Sequence, residues 1–193
     1  MYLACKFPTV KDNQQLRSKI SILAISGSLR PNSSNSAVIT TAATLVAGEV
    51  AFIIYEGLGS LPHFDGSDDP APEVVEFRKL LSEADGILIS SPEYAFGVPG
   101  SLKNALDWTV STGELVNKPV ALITAATGGD KAHASLKLTL TALSARVLEE
   151  STLLLSFIRS KMNTNCEITD TETIQAIKNI MDTFIRDINI QKN

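Results

Sequence analysis

A group of side chains able to hold an anion follows the first long apolar run of the chain. The stretch GSLRPNSSNS, residues 27–36, contains Ser28, Arg30, Ser33, Asn35 and Ser36. Hydroxyl and amide groups donate hydrogen bonds, and an arginine adds a charge-assisted, bidentate contact. A helix that begins here would direct its unpaired N–H groups and the positive end of its dipole at the same anion. The residue types and their spacing therefore predict a site for a phosphate group.

An ordinary strand–turn–helix unit is the competing interpretation of this stretch. Gly27 would supply the turn, and one of the serines would cap the helix. One N-cap is sufficient to begin a helix, however, so Arg30 and the additional hydroxyls favour a ligand. In that interpretation Gly27 lets the backbone pass close to the bound group.

A second informative stretch, SPEYAFGVPGSLKNALDW at residues 91–108, places Tyr94 and Phe96 in a loop rich in proline and glycine. Aromatic side chains in such a loop could contact a planar ring, although packing over the end of a sheet explains them equally well. Together with the phosphate site, these aromatic residues indicate a phosphorylated ligand with a planar ring.

Five short apolar runs alternate with helical patterns along the chain, which predicts βα units of a parallel sheet. We expect strands at 20–26, 50–55, 86–91 and 120–124, and a fifth strand between 146 and 155. We expect helices at 36–47, at 72–84, after Pro99, at 131–145, and from a capping box formed by Thr169 and Glu172.

This number of units predicts an α/β fold, a flavodoxin-like, doubly wound, five-stranded parallel sheet in the order 2-1-3-4-5 with helices on both faces. In that order, the loops after the first and third strands lie beside the switch point where ligands bind. The two informative stretches would then face each other across one crevice.

Length and composition favour one globular domain at residues 20–193, preceded by a poorly ordered extension at residues 1–19. A chain of 193 residues, 44% of them hydrophobic, can bury a sizeable core. The formal net charge of −4, without a basic block, argues against a nucleic acid or an anionic membrane as the main partner. The sequence has neither a signal-peptide pattern nor an apolar run of roughly 18 residues, so we expect a cytoplasmic protein.

Neither the acidic residues nor the cysteines indicate a metal site. Asp65, Asp68 and Asp69 lie close together, but no second cluster of ligands accompanies them, which favours a solvated loop. Cys5 and Cys166 lack the spacing of metal ligands and are interpreted as reduced thiols. A metal ion is therefore not expected.

The two stretches together, GSLRPNSSN and SPEYAFGVPGSLKNALDW, resemble the NADPH-dependent FMN reductase family, which includes bacterial flavin, quinone, chromate and azo-dye reductases. The resemblance extends over roughly residues 20–148 and includes the loop ATGGDKAH. It implies an FMN-phosphate loop at Ser28, Arg30, Ser33, Asn35 and Ser36. It implies a loop that holds the isoalloxazine edge, largely through backbone groups, at Pro92, Glu93, Tyr94, Ala95 and Phe96. A third loop, near the other side of the ring, would contain Thr127, Gly128 and Gly129.

Several positions depart from the residues that are usual in the family. Ala95 stands where many members have Asn, and Gly97 where many have Ser, so fewer side-chain hydrogen bonds are expected at the flavin edge. His133 lies where Gln is frequent, and a simple surface position on the helix is an equally good interpretation. Asn104 and Trp108 match a helix that in the family helps to form a homodimer.

The resemblance implies an enzyme that binds FMN and uses NADPH or NADH as its electron donor. NAD(P)H would reduce FMN and leave, and a small acceptor such as a quinone, a free flavin, an azo dye or a metal oxyanion would take the electrons. Because this chemistry belongs to FMN, no catalytic side chain is expected. The resemblance also implies a homodimer or a homotetramer.

Two other functions share this layout. A flavodoxin-like FMN electron carrier would pass single electrons to protein partners, but its phosphate loop is usually rich in Thr, and the net charge of −4 does not suggest a strongly acidic docking face. A phosphatase would need a nucleophilic cysteine in the loop after the first strand, where this chain has serines. The electron carrier is therefore the main alternative.

Overall fold

Five parallel strands form a single sheet in the computed structural model, which describes residues 19–48 and 50–192. The strand order is β2-β1-β3-β4-β5, with β1 at Ser21–Ser26, β2 at Ala51–Tyr55, β3 at Gly86–Ser91, β4 at Val120–Ala125 and β5 at Thr152–Leu155. The helices are α1 at Ser34–Leu45, α2 at Pro72–Glu83, α3 at Gly100–Asp107, α4 at Asp130–Ala142 and α5 at Thr171–Lys192. The predicted flavodoxin-like fold and its strand order are confirmed.

The central strands are apolar without interruption because both faces of the sheet are covered. In β1, Ile22 and Ala24 belong to the core beneath α1 and α5. Leu23 and Ile25 belong to the core beneath α2, α3 and α4 on the opposite face. Alternate side chains of one strand thus pack against helices on opposite faces of the sheet. A strand in this position needs apolar residues at every position, so a short continuous apolar run predicts it.

The strand register brings the loops of interest to one edge of the sheet. Ser26 of β1 pairs with Ser90 of β3, and Ser91 of β3 pairs with Thr124 of β4. Because parallel strands end at the same edge, the loops after β1, β3 and β4 become neighbours. The helix after β1 covers one face and the helix after β3 covers the other, so the crevice between them is the switch point of the fold.

Gly27 is needed for close packing between strand ends. Its N–H donates to the Ser90 carbonyl at 2.8 Å. A Cβ added to Gly27 would lie 3.0 Å from Leu102 Cδ2 and 3.3 Å from the Ser91 Cα. The structure therefore explains this glycine by contacts within the protein, whereas the sequence suggested a close approach to the ligand.

The start of the last helix corrects one prediction. The capping box of Thr169 and Glu172 is wrong, because the Asp170 carboxylate accepts a hydrogen bond from the Thr173 N–H at 2.9 Å and another from the Thr173 hydroxyl. The helix begins at Thr171, which makes Asp170 its N-cap. Aspartate and threonine are both N-cap residues, so the sequence pattern could not choose between adjacent positions.

Two further predictions concern the extension and membranes. The extension predicted at residues 1–19 lies outside the described residues except for Lys19, whose ammonium group donates to the Gly48 carbonyl at 2.9 Å. Within the described ranges, no helix has the length and apolar character needed to cross a bilayer.

We expect Asp170→Ala to lower the free energy of unfolding more than Thr169→Ala does, because the Asp170 carboxylate pairs two donors at the start of α5. The hydrogen bonds from Thr173 lower the pKa of Asp170 below its ordinary 3.8. A carboxylate with a lowered pKa stabilises the folded chain above the unfolded-state pKa, and this stability is lost as the pH falls through the folded-state pKa. Urea unfolding at pH 7 and below pH 3.8 tests both points. The difference in the free energy of unfolding between wild type and Asp170→Ala should become smaller in acid. Equal losses of stability in Asp170→Ala and Thr169→Ala would contradict the assignment of Asp170 as the N-cap.

Candidate functional site

A cavity of about 130 Å³ opens at the edge of the sheet where β1, β3 and β4 end. One water molecule needs a cavity of roughly 10–15 Å³, so this cavity is large enough for several polar atoms of a ligand. The predicted residues that line it come from all three loops, and they are Ser28, Arg30, Ser33, Asn35, Pro92, Glu93, Tyr94 and Thr127. The remaining lining residues are Ser34, Ala125, Ala126, Ile158 and Arg159. Five predicted residues, Ser36, Ala95, Phe96, Gly128 and Gly129, lie outside this lining.

The first loop is shaped by its own hydroxyl groups. Ser33 is the N-cap of α1, and its Oγ accepts from the Ser36 N–H at 3.0 Å and lies 2.8 Å from the Ser36 Oγ. The Ser28 Oγ accepts from the Arg30 N–H at 3.3 Å and lies 3.3 Å from the Tyr94 hydroxyl. The serines therefore fix the loop and hold the second loop beside it, while the first-turn N–H groups of α1 lie next to the cavity.

The Asn35 side chain joins α1 to the sheet through hydrogen bonds. This side chain is buried, the Nδ2 donates to the Ala125 carbonyl at 3.1 Å, and the Oδ1 accepts from the Ser90 hydroxyl at 2.9 Å. These bonds join the first turn of α1 to β3 and β4. Because the amide oxygen and nitrogen both bond within the protein, Asn35 holds the start of α1 against the sheet.

The second loop contains a tight two-residue turn. Tyr94 and Gly97 exchange backbone hydrogen bonds, N–H to carbonyl, at 3.1 and 2.9 Å. Between them Ala95 and Phe96 have φ angles of +49° and +59°, the left-handed pair of a type I′ turn. This geometry explains why asparagine is suited to the position of Ala95, since Asn tolerates the left-handed region better than other non-glycine residues. Phe96 is 80% exposed at the tip of the turn.

Glu93 connects the second loop to the third. Its carboxylate accepts from the Gly129 N–H at 3.3 Å and from the Ala132 N–H at 2.9 Å, so it satisfies two donors at the start of α4. Gly129 has a φ of +109°, and an added Cβ there would lie 2.8 Å from Leu154 Cδ1. The sequence predicted a backbone role for the segment around Glu93, and it missed this side-chain contact.

His133 lies on α4 one turn beyond the third loop. Its Nδ1 is 2.9 Å from the hydroxyl of Thr124, at the carboxyl end of β4. Burial lowers the pKa of His133, and the nearby Lys137 lowers it further, while Glu149 opposes both effects. The half-buried ring thus supports the end of β4, and the alternative of a simple surface residue is wrong.

Asn104 and Trp108 on α3 hold a neighbouring loop. The Asn104 Nδ2 and the Trp108 Nε1 both donate to the Pro62 carbonyl at 2.9 Å. The Asn104 Oδ1 accepts from the Phe64 N–H at 2.8 Å. Trp108 is 1% exposed, so its ring belongs to the core of this chain. The acidic loop that follows is exposed, and the described part of the chain contains no group of three His, Cys, Asp or Glu residues placed to hold a metal.

Arg159 lines the cavity, and the sequence did not single it out. It lies four positions beyond the end of β5 at Leu155, in a segment whose strand boundary was uncertain from the sequence. The carboxyl ends of all strands in a parallel sheet meet at one edge. An arginine just past the fifth strand could therefore have been assigned to the same edge as Arg30. The structure places it at the same cavity as Arg30.

The arrangement fits a phosphorylated planar ligand. Two arginines, several residues with hydroxyl groups and the start of α1 line the cavity, and they carry donors suited to a phosphate. Tyr94 and the exposed turn beside it offer aromatic surface to a ring. Among the described residues that line the cavity there is neither a cysteine nor a histidine, so no thiol or imidazole nucleophile faces it.

Comparisons with known proteins agree with this geometry. The family model for NADPH-dependent FMN reductase matches residues 20–159. The chain is similar to a quinone reductase of Escherichia coli, with 27% identity over 176 residues that cover 86% of this chain and 94% of that protein. It is similar to a 2-hydroxy-1,4-benzoquinone reductase of a Burkholderia species, with 30% identity over 173 residues, 86% of this chain and 94% of that protein. Its fold is similar to that of a flavoenzyme NAD(P)H:(acceptor) oxidoreductase from Paracoccus denitrificans, with a TM-score of 0.78, 24% identity, and coverage of 89% of this chain and 98% of that chain.

We expect Glu93→Ala to lower the free energy of unfolding by about 1–2 kcal/mol, because two N–H groups at the start of α4 lose their partner. Glu93→Gln keeps one acceptor oxygen and should lose less. Urea unfolding measures the change, and amide hydrogen exchange at Gly129 and Ala132 locates it. Glu150→Ala, an exposed glutamate before β5, is the control and should change stability by less than about 0.5 kcal/mol. Unchanged exchange at these amides in Glu93→Ala would exclude the proposed contact.

We expect Ala95→Asn to raise the free energy of unfolding by about 0.5–1 kcal/mol, since asparagine relieves part of the cost of a left-handed backbone. Thermal unfolding at a fixed pH measures the gain. Ala134→Asn, at an exposed position inside α4, should have the opposite sign because asparagine is a poorer helix former than alanine. A loss of stability in both variants would argue against strain at Ala95.

Proposed function

This chain belongs to the NADPH-dependent FMN reductase family, and we propose that its cavity at the sheet edge holds the phosphate of FMN and that its acceptor is a quinone. The protein is an NAD(P)H-dependent oxidoreductase that uses FMN. The observation that carries the placement of FMN is the convergence of Ser28, Arg30, Ser33 and the start of α1 on one cavity.

The phosphate loop would bind by charge and by donated hydrogen bonds. Arg30 offers a fork of N–H groups that matches two phosphate oxygens. The first-turn N–H groups of α1 would add hydrogen-bond donors, and the positive end of the helix dipole would stabilise the negative charge of the phosphate. Ser28 and Ser33 are nearly buried, so their hydroxyls are held in place before the ligand arrives. Asn35 and Ser36 then maintain the loop without touching the ligand through their side chains.

The second and third loops would position the ring. Pro92, Tyr94 and Thr127 line the cavity beyond the phosphate loop, where a ring attached to that phosphate would extend. Ala95 and Phe96 shape the turn that presents Tyr94. Gly128 and Gly129 form the bend into α4, and the Gly129 N–H is already paired with Glu93. In this arrangement the backbone near Thr127, rather than Gly129, would donate to the ring.

Hydride transfer from NAD(P)H to FMN, and onward to the acceptor, is the chemistry that FMN supplies when bound. The side chains of this site bind and orient FMN, and none is required as a nucleophile or as a general base. Glu93 is unsuited to a base because its carboxylate is held by the N–H groups at the start of α4.

A quinone is the acceptor that best fits the comparisons and the exposed surface. Two relatives that match most of this chain are named as quinone reductases. Phe96 and Phe157 are 80% and 66% exposed and follow the ends of β3 and β5, at the edge of the sheet where the cavity opens. Flat aromatic surface near an open site suits a planar, uncharged acceptor.

We also propose that the protein forms a homodimer or a homotetramer and acts in the cytoplasm, where NADPH and NADH are available. Exposed apolar side chains beside α3, namely Phe64, Val110 and Val116, support self-association. Analytical ultracentrifugation measures the oligomeric state, and a monomer at micromolar concentration would contradict the proposed association.

The absorption spectrum of the purified chain tests the function directly. After FMN is added and the excess removed, a retained flavin spectrum that bleaches with anaerobic NADPH or NADH supports the reductase. Steady-state turnover with a quinone, without any protein partner, separates it from an electron carrier. Retention of FMN without bleaching by either nucleotide would favour the carrier.

We expect Arg30→Gln to weaken FMN binding about tenfold or more, because one charge-assisted contact with the phosphate is lost. Fluorescence titration with FMN measures the dissociation constant. Arg186→Gln removes the same charge from an exposed position on α5 and should leave FMN affinity unchanged. Equal FMN affinity in Arg30→Gln and wild type would count against the placement of the phosphate.

A further inference from the structure

A second arginine, Arg159, lines the same cavity as Arg30. The two arginines reach it from different parts of the fold. Arg30 lies in the loop after β1, and Arg159 lies in the segment after β5. The family resemblance placed one cation at the phosphate, so the second is a property of this chain that the motif does not contain.

The backbone before Arg159 is held against the third loop. The Phe157 N–H donates to the Thr127 carbonyl at 3.1 Å, and the Ile158 N–H donates to the Ala126 carbonyl at 3.3 Å. Ile158 is buried in the core, and residues 158–161 form a short 3₁₀-helix. The main chain of Arg159 therefore has a defined place at the cavity, while its side chain is exposed and can reach a ligand.

The charges around the cavity favour a doubly negative ligand. In the part of the chain that the structure describes, neither Arg30 nor Arg159 takes part in an ion pair. The carboxylate that lines the cavity, that of Glu93, is held by N–H groups at the start of α4. Glu93 keeps its negative charge at the cavity, and neither guanidinium group has an ion-pair partner among the described residues. A phosphate monoester carries a charge of about −1.5 to −2 at pH 7, so two guanidinium groups compensate more of that charge than one does.

We propose that Arg159 binds the phosphate of FMN together with Arg30, and that it makes the site select FMN over riboflavin. This inference rests on the proposed placement of FMN. Riboflavin has the same ring and ribityl chain but no phosphate, so a residue that acts through the phosphate changes the affinity for FMN alone. The 2′-phosphate of NADPH is also a phosphate monoester, and it is the alternative partner of Arg159 that the experiment must separate.

The test compares FMN and riboflavin as ligands of the same variants. Each is titrated into the full chain, freed of flavin by dialysis, and binding is followed by flavin fluorescence. Arg159→Gln should raise the dissociation constant of FMN about tenfold or more and leave that of riboflavin within about twofold. Arg159→Lys keeps the charge but loses the fork, so it should restore part of the FMN affinity. Lys161→Gln removes one charge from the same short helix without lining the cavity, and should change neither constant.

Other results would overturn the inference. If Arg159→Gln weakens the binding of FMN and of riboflavin equally, Arg159 has a general structural role. If neither dissociation constant changes, Arg159 is a solvated cation that contacts no flavin. With FMN saturating, the ratio of KM for NADPH to KM for NADH should be the same in Arg159→Gln and wild type. A selective rise in that ratio, with FMN affinity unchanged, would assign Arg159 to the nucleotide's 2′-phosphate instead.

The experiment also separates this inference from the proposed function. If the wild-type chain fails to bind either flavin, the placement of FMN is wrong, and Arg159 loses its proposed role with it. If the wild type binds FMN and loses affinity in Arg30→Gln but not in Arg159→Gln, the phosphate placement stands and the second contact is refuted.

Discussion

The buried amide of Asn35 is the interaction on which the geometry of the site depends. It is 2% exposed, and its two polar atoms reach the Ser90 hydroxyl in β3 and the Ala125 carbonyl at the end of β4. One side chain therefore joins the first turn of α1 to two neighbouring strands. A buried polar atom that loses its partner costs about 1–3 kcal/mol. These bonds hold the start of α1 in place at the sheet edge, and the cavity forms beside it.

Electrostatics at the site are set locally, against a chain whose formal net charge is −4. Glu93 lies at the cavity, but its carboxylate pairs with the Gly129 and Ala132 N–H groups and fastens the second loop to α4. The carboxylate keeps its negative charge, and the two N–H groups stabilise that charge. Arg30 and Arg159 line the same cavity, and neither forms an ion pair with another described residue. A single side chain thereby connects two of the loops that line the cavity.

Ala95, Phe96 and Phe157 are among the non-glycine residues near the site with left-handed backbone angles, and their φ angles are +49°, +59° and +53°. Such conformations cost roughly 1–2 kcal/mol for each residue, and they persist where the surrounding structure enforces them. The first two close the turn beside Tyr94, and the third turns the chain from β5 toward Arg159. Stability from the two-sided core therefore supports strained loops at the edge where the ligand would bind.

The sequence by itself determined the layers of the fold and singled out the loop after β1 that lines the cavity. Continuous apolar runs specify strands buried on both faces, and strand–helix alternation limits the connections to one family of sheets. The first two loops were also recognisable, because Arg30 and the serines around it are local in sequence. Tertiary structure alone decided the contact of Glu93 with α4, which joins residues 39 positions apart, and the arrival of Arg159 at the cavity. The Glu93 contact and the position of Arg159 both depend on strand register and on the direction of a side chain. A local pattern of residue types contains neither kind of information.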